Sequence, residues 1–96
     1  MTETDINVPR IEDADRVIRR VESVLTSHGL TMHSRGTVKS YPGCTHWHFK
    51  DGKHAGTLEV TYWPAKRRVW FKVQAKRTAA WIDQLVPVLK EDLEKG

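Results

Sequence analysis

Between residues 10 and 28 the apolar positions recur at steps of three and four. Ile11, Ala14, Val17, Ile18, Val21, Val24 and Leu25 fall on one stripe of a helix. Acidic residues lead the segment (Glu12, Asp13, Asp15) and arginines follow (Arg16, Arg19, Arg20). That order complements the helix dipole and predicts i,i+4 pairs of Glu12 with Arg16 and Asp15 with Arg19. Gly29 marks the end of the helix. From Leu30 to Gln74 the period becomes two. Thr45, Trp47 and Phe49 alternate with Cys44, His46 and His48; Leu58, Val60 and Tyr62 alternate with Thr57, Glu59, Thr61 and Trp63. A last run sets Val69, Phe71 and Val73 against Arg68, Trp70, Lys72 and Gln74. Each strand thus has one apolar and one polar face, as in an antiparallel sheet covered by helices on one side. Leu30 to Val38 reads as a weaker edge strand, bulged or ended near Gly36.

Turn chemistry sets the expected register. Asp51-Gly52-Lys53-His54 closes a hairpin that places Lys50 opposite Ala55, Trp47 opposite Leu58 and His46 opposite Glu59. Pro64-Ala65-Lys66-Arg67 closes the next, with Trp63 opposite Arg68, Thr61 opposite Trp70, Val60 opposite Phe71 and Glu59 opposite Lys72. Thr78 is placed to cap a last helix, Ala79 to about Lys95, that buries Ala79, Ile82, Leu85, Val86, Leu89 and Leu93. Pro87 predicts a bend or a break in that helix. The expected fold is therefore α+β in two layers: helix, antiparallel meander of three to four strands, helix, with both helices packed on one face of the sheet. Residues 1–9 are expected to form a flexible tail and residues 10–96 a single domain.

Composition narrows the functional classes. A chain of 96 residues, 39% of them hydrophobic, supports one modest core. No apolar run approaches the ~20 residues of a membrane-spanning helix, and Met1 to Pro9 lacks the basic flank and apolar block of a secretory signal. A single cysteine excludes an internal disulfide, so a cytoplasmic location is expected. The net charge of +4 is unevenly spread. Residues 31–78 carry ten Lys and Arg against only Asp51 and Glu59, whereas the rest of the chain carries six basic and ten acidic residues. A basic middle of this kind attracts polyanions.

On the uncovered sheet face, Trp63 and Trp70 are expected as diagonal neighbours beside Arg68 and Lys72. Rings for base faces and cations for phosphates are what a single-stranded nucleic acid requires of an open sheet. With His46 and His48 on the same face, and Lys76 and Arg77 just ahead of the last helix, these residues form the candidate binding set for RNA or single-stranded DNA. The alternative is a protein interaction module, or a homodimer joined through the same face. The order helix, sheet, helix is similar in layout to the double-stranded RNA-binding domain. Lys76-Arg77-Thr78-Ala79-Ala80 does not carry that family's lysine-rich motif, however, and no family is assigned.

His46 and His48 project the same way and suggest a metal chelate, with Cys44 or Glu59 as a third donor. Alternate strand positions lie ~6.5–7 Å apart at Cα, which stretches a Cys44 to His48 span around one ion. A cross-strand ladder of His46, Glu59 and Lys72 accounts for the same residues, so no metal or other cofactor is expected. Catalysis is not expected either. Cys44 beside the histidines offers a nucleophile and a base without a pocket, Glu59 has no second carboxylate on its face, and no Gly-rich phosphate loop follows a strand. Trp47 and Trp81 read as core, and His28, His33 and His54 as solvent-facing residues at a helix end, an edge strand and a turn.

Overall fold

A computed structural model describes residues 1–95. It contains β1 (Thr2–Ile6), α1 (Ala14–Ser27), β2 (Thr31–Gly36), β3 (Thr45–Lys50), β4 (Leu58–Trp63), β5 (Arg68–Val73) and α2 (Ala80–Glu94). The five strands form one antiparallel sheet in the order β1-β5-β4-β3-β2. Strands β2 to β5 are the expected meander. The fifth strand comes from the segment expected to be a tail, and because it precedes α1, the order is no longer helix, sheet, helix.

The correction at β1 has a simple cause. Thr2, Thr4 and Ile6 stand opposite Val73, Phe71 and Val69, while Glu3 and Asp5 stand opposite Lys72 and Trp70. Period two is present in Thr2–Ile6, but it is carried by threonines and acids, which read as solvated chain. The acids answer a cation on the neighbouring strand: Arg68 Nε lies 2.9 Å from Asp5 Oδ1 and its Nη2 3.5 Å from Glu3 Oε1. Ile6 and Val8 are buried, and the Asn7 amide donates to Glu94 Oε2 at 2.9 Å.

One hydrophobic cluster joins Trp47, Phe49, Leu58, Val60, Tyr62, Val69 and Phe71 of the sheet to Val17, Val21, Val24 and Leu25 of α1 and Ile82, Leu89 and Leu93 of α2. Two polar side chains of the cluster find partners at its margin. The Trp47 indole donates to Glu22 Oε2 (2.9 Å), which also pairs with Arg35 (2.9 Å), and the Tyr62 hydroxyl donates to the Ile11 carbonyl (2.8 Å).

Helix α1 starts at Asp13, whose carboxylate accepts from the Arg16 amide at 3.2 Å. The expected pairs Glu12–Arg16 and Asp15–Arg19 are absent among the described residues. Arg16 donates instead to the Pro9 carbonyl (2.7 Å), and Arg20 to the carbonyls of Asp92 (2.8 Å) and Lys95 (3.2 Å) at the end of α2. Thr78 does not cap α2; the residue before the helix is Ala79, with no side-chain cap. The helix also continues through Pro87. Pro87 and Asp83, whose carbonyl loses its donor, are both exposed, so water can satisfy that carbonyl.

The helix contact carries an acid sensitivity. His28 Nε2 lies 3.0 Å from Asp92 Oδ2, and this hydrogen bond holds the Asp92 carboxyl below its ordinary range. Lys90, followed by the Asn7 amide, does the same for Glu94. Carboxyls depressed in the folded state add stability that is complete above their unfolded values and is lost as pH falls through the folded ones. Urea midpoints are therefore expected to drop as pH is lowered from about 5 to about 3, and Asp92→Asn to flatten that drop. A variant profile parallel to the wild type would remove Asp92 from the account.

Register follows expectation in one hairpin and departs from it in the other. Between β4 and β5, Trp63 meets Arg68, Thr61 meets Trp70 and Glu59 meets Lys72, as the Pro64 turn predicts. Between β3 and β4 the pairing is displaced by two: Trp47 meets Val60, His48 meets Glu59 and His46 meets Thr61. The Asp51 turn does form, with the His54 amide donating to the Asp51 carbonyl at 3.0 Å. Ala55 to Thr57 then leave the hairpin to bind elsewhere. The Thr57 amide donates to the Arg77 carbonyl (3.0 Å), and the Trp81 indole donates to the Ala55 carbonyl (2.8 Å). A displacement of two preserves the face of every side chain. In β2 the irregularity lies between Met32 and Ser34 rather than at Gly36, where the strand ends.

Candidate functional site

The polar face of the sheet is not open. Residues 37–44 fold back across it through two turns, in which the Tyr41 amide donates to the Val38 carbonyl (3.2 Å) and the Cys44 amide to the Tyr41 carbonyl (3.0 Å). Tyr41 seats between both outer tryptophans, its ring centroid 5.0 Å from Trp63 and 4.9 Å from Trp70. The Trp63 indole donates to the Pro42 carbonyl at 3.0 Å. Arg68 lies over the Trp70 ring, 4.2 Å from its centroid, while bound to Asp5 and Glu3. Trp70 is 1% exposed and Trp63 half-buried.

This corrects the expected stacking platform. Trp70 presents no face to a base, and Arg68 is already committed to two carboxylates. The sequence did not announce the roof: Ser40-Tyr41-Pro42-Gly43 reads as a turn, and nothing local says that its tyrosine will fold onto tryptophans of β4 and β5. Cys44 is buried beneath the same loop, where its Sγ accepts from the Val38 amide at 3.4 Å, and it is not part of the histidine group.

Two polar features gather the remaining candidate residues. The first is a cavity of about 190 Å³ lined by Ser40, Tyr41, His46, Glu59, Thr61 and Lys72. His46 Nδ1 lies 2.7 Å from Thr61 Oγ1, and its Nε2 3.3 Å from Glu59 Oε1. With Nε2 protonated and Nδ1 accepting from the threonine hydroxyl, a neutral ring satisfies both contacts. Burial pushes His46 below its ordinary pKa of 6.5, against the opposing pull of Glu59, so the imidazole is neutral at pH 7. Half of the expected ladder thus forms: Glu59 contacts His46, but Lys72 has no carboxylate within 4.0 Å among the described residues. His48, directly opposite Glu59, packs edge-on against His46 with centroids 5.1 Å apart.

The second feature is a broader groove of about 560 Å³ lined by His33, His48, Lys50, Lys76 and Arg77. Three elements converge here. His33 comes from the irregular part of β2, His48 and Lys50 from β3, and Lys76 and Arg77 from a short 3-10 turn, Ala75–Arg77. The bond from the Thr57 amide to the Arg77 carbonyl ties that turn to the entry of β4, which brings its two cations beside the sheet. Lys50 reaches across the hairpin mouth to the Gly56 carbonyl at 3.5 Å. Lys50, Lys76 and Arg77 have no carboxylate within 4.0 Å among the described residues. A third, apolar cleft of about 150 Å³ between β1, β5 and α2 gathers no comparable set of charges.

The sequence-derived binding set is therefore split. Trp63, Trp70, Arg68, Lys72 and His46 surround the roofed side, whereas His48, Lys76 and Arg77 line the groove. Lys50 and His33 complete the groove and were missed. The signal for Lys50 was available in its position on the polar face of β3, two residues beyond His48; His33 depends on the β2 irregularity. Among the described residues no helix is long and apolar enough to cross a membrane. No family model matches the chain, no curated protein is similar to it, and no solved structure matches it.

Proposed function

We propose that this protein is a non-catalytic binding module that holds the phosphate backbone of RNA or single-stranded DNA in the groove of Lys50, Lys76 and Arg77. The carrying observation is the convergence of these three cations, with the His33 and His48 rings, from three elements onto one open groove. Because among the described residues no Trp, Tyr or Phe lines that groove and its three cations dominate it, its contacts are chiefly with phosphates and the binding is indifferent to sequence. This reading replaces base stacking on the tryptophans with charge neutralisation.

A labelled single-stranded oligonucleotide titrated at two salt concentrations tests it. Lys76→Glu combined with Arg77→Glu is expected to weaken binding at least tenfold at low salt and to reduce the log–log salt slope by about two. Trp63→Ala, outside the groove, is expected to leave affinity within about twofold of wild type. An undiminished affinity in the double variant, or a loss confined to Trp63→Ala, would sink the proposal.

A further inference from the structure

We infer that His46, His48 and Glu59 form a binding site for a divalent first-row transition ion, with zinc the natural probe. One ring nitrogen from each histidine and one carboxylate oxygen of Glu59 all lie within 4.8 Å of one another. A tetrahedral ion with bonds of about 2.0–2.1 Å sets its ligand atoms roughly 3.4 Å apart. The His46 Nε2 to Glu59 Oε1 distance is already 3.3 Å. Closing the set asks only for side-chain rotation of His48, which stands directly across from Glu59.

The surroundings support ligation. Thr61 Oγ1 lies 2.7 Å from His46 Nδ1. On ion binding the ring takes its other neutral tautomer, Nδ1–H donating to the threonine oxygen, the outer contact that orients a ligating imidazole and leaves the Nε2 lone pair for the ion. Glu59 is 7% exposed, yet within 4.0 Å among the described residues its carboxylate meets no Lys or Arg, only the neutral imidazole of His46. A buried carboxylate so sparsely answered gains from a cation. Two nitrogens and one oxygen suit zinc, cobalt or iron better than the all-oxygen shells of calcium or magnesium. Three protein ligands leave a coordination position for water or a small anion, next to the cavity that holds Thr61 and Lys72. The register makes this possible: with the pairing read from the turn alone, His46 would face Glu59 and His48 would lie two residues further along.

The test is a Zn²⁺ titration of the tag-free, chelator-treated chain by calorimetry, repeated with Co²⁺ for its visible absorption. The expected result is saturable uptake of one ion per chain, with the imidazole resonances of His46 and His48 moving while those of His28, His33 and His54 stay in place. His48→Asn, at a half-buried position, is expected to lower affinity tenfold or more with unchanged far-UV circular dichroism. Lys76→Glu with Arg77→Glu is expected to leave it unchanged, which separates this site from the phosphate groove. No saturable uptake up to about 1 mM Zn²⁺, or resonance shifts confined to His28, His33 or His54, would overturn the inference. So would unaltered affinity in His48→Asn.

Discussion

Deleting Thr2–Ile6 is expected to lower the stability of the domain by about 3–5 kcal/mol. Ile6 is 3% exposed and packs in the main cluster, and large-to-small changes at such positions cost about 2–5 kcal/mol. The deletion also removes the carboxylates on Arg68 and the Asp5 carbonyl that accepts from Lys90 Nζ at 3.2 Å. Domains of this size have only about 5–15 kcal/mol in total, so the shortened chain retains a small part of its margin. It also gains a defect of a different kind. Strand β5 becomes an edge whose backbone groups lie unpaired beside Val69, Phe71 and Val73, the kind of edge that recruits a second chain. Urea unfolding should show a lower midpoint, and sedimentation should show association that grows with concentration. Equal midpoints for the deleted and intact chains would mean that residues 2–6 are a tail after all.

The second large effect is expected at Gly56. Its φ is +103°, outside the range that side chains tolerate, and a Cβ there would lie 2.7 Å from the Ala79 Cβ, 3.2 Å from Ile82 Cδ1 and 3.3 Å from the Arg77 carbonyl. The conformational cost is about 1–2 kcal/mol, and overpacking adds about 1–3 kcal/mol. The Ala79 Cβ is fixed by its backbone and cannot rotate away. Gly56→Ala should therefore cost about 2–4 kcal/mol, a urea midpoint lower by roughly 1–3 M. Gly52, at φ +58° with nothing within 4 Å of its Cβ position, is the control, and Gly52→Ala should cost only about 1 kcal/mol. If the two variants unfold alike, the close approach of the hairpin to Ala79 is not what the glycine serves. Because Ala55 to Thr57 position the turn that carries Lys76 and Arg77, Gly56→Ala should also weaken the proposed nucleic-acid binding under conditions where it stays folded.

What could be read in advance followed periodicity. The stripe from Val17 to Leu25 and the alternation through β3, β4 and β5 fix which faces are buried, because a buried face dictates its residues directly. The Pro64 hairpin was legible because its four residues close without other partners. The Asp51 hairpin was not, since Ala55 to Thr57 are drawn off by Arg77 and Trp81, residues twenty or more positions away. The same limit applies to the site. Alternation placed His46, His48 and Glu59 on one face, but the turn put His46 rather than His48 opposite Glu59, and Tyr41 carries no mark of the tryptophans it covers. Strand β1 was lost because its acids, meaningful beside Arg68, look like solvated chain when read alone.

The pairing of the first strand with the last governs how the molecule can be made. Thr2 and Val73 are about seventy residues apart in the chain yet adjacent in the sheet, so closure of this contact has a large entropic cost before any reward. During synthesis Ile6 emerges early and waits, and β1 can dock only after the ribosome has released β5. The hairpins of β2 to β5, whose partners are neighbours in sequence, can form first. Completion of the sheet is thus a late, single step that joins the first and last strands, and a chain stalled before β5 has no template on which to place its first strand.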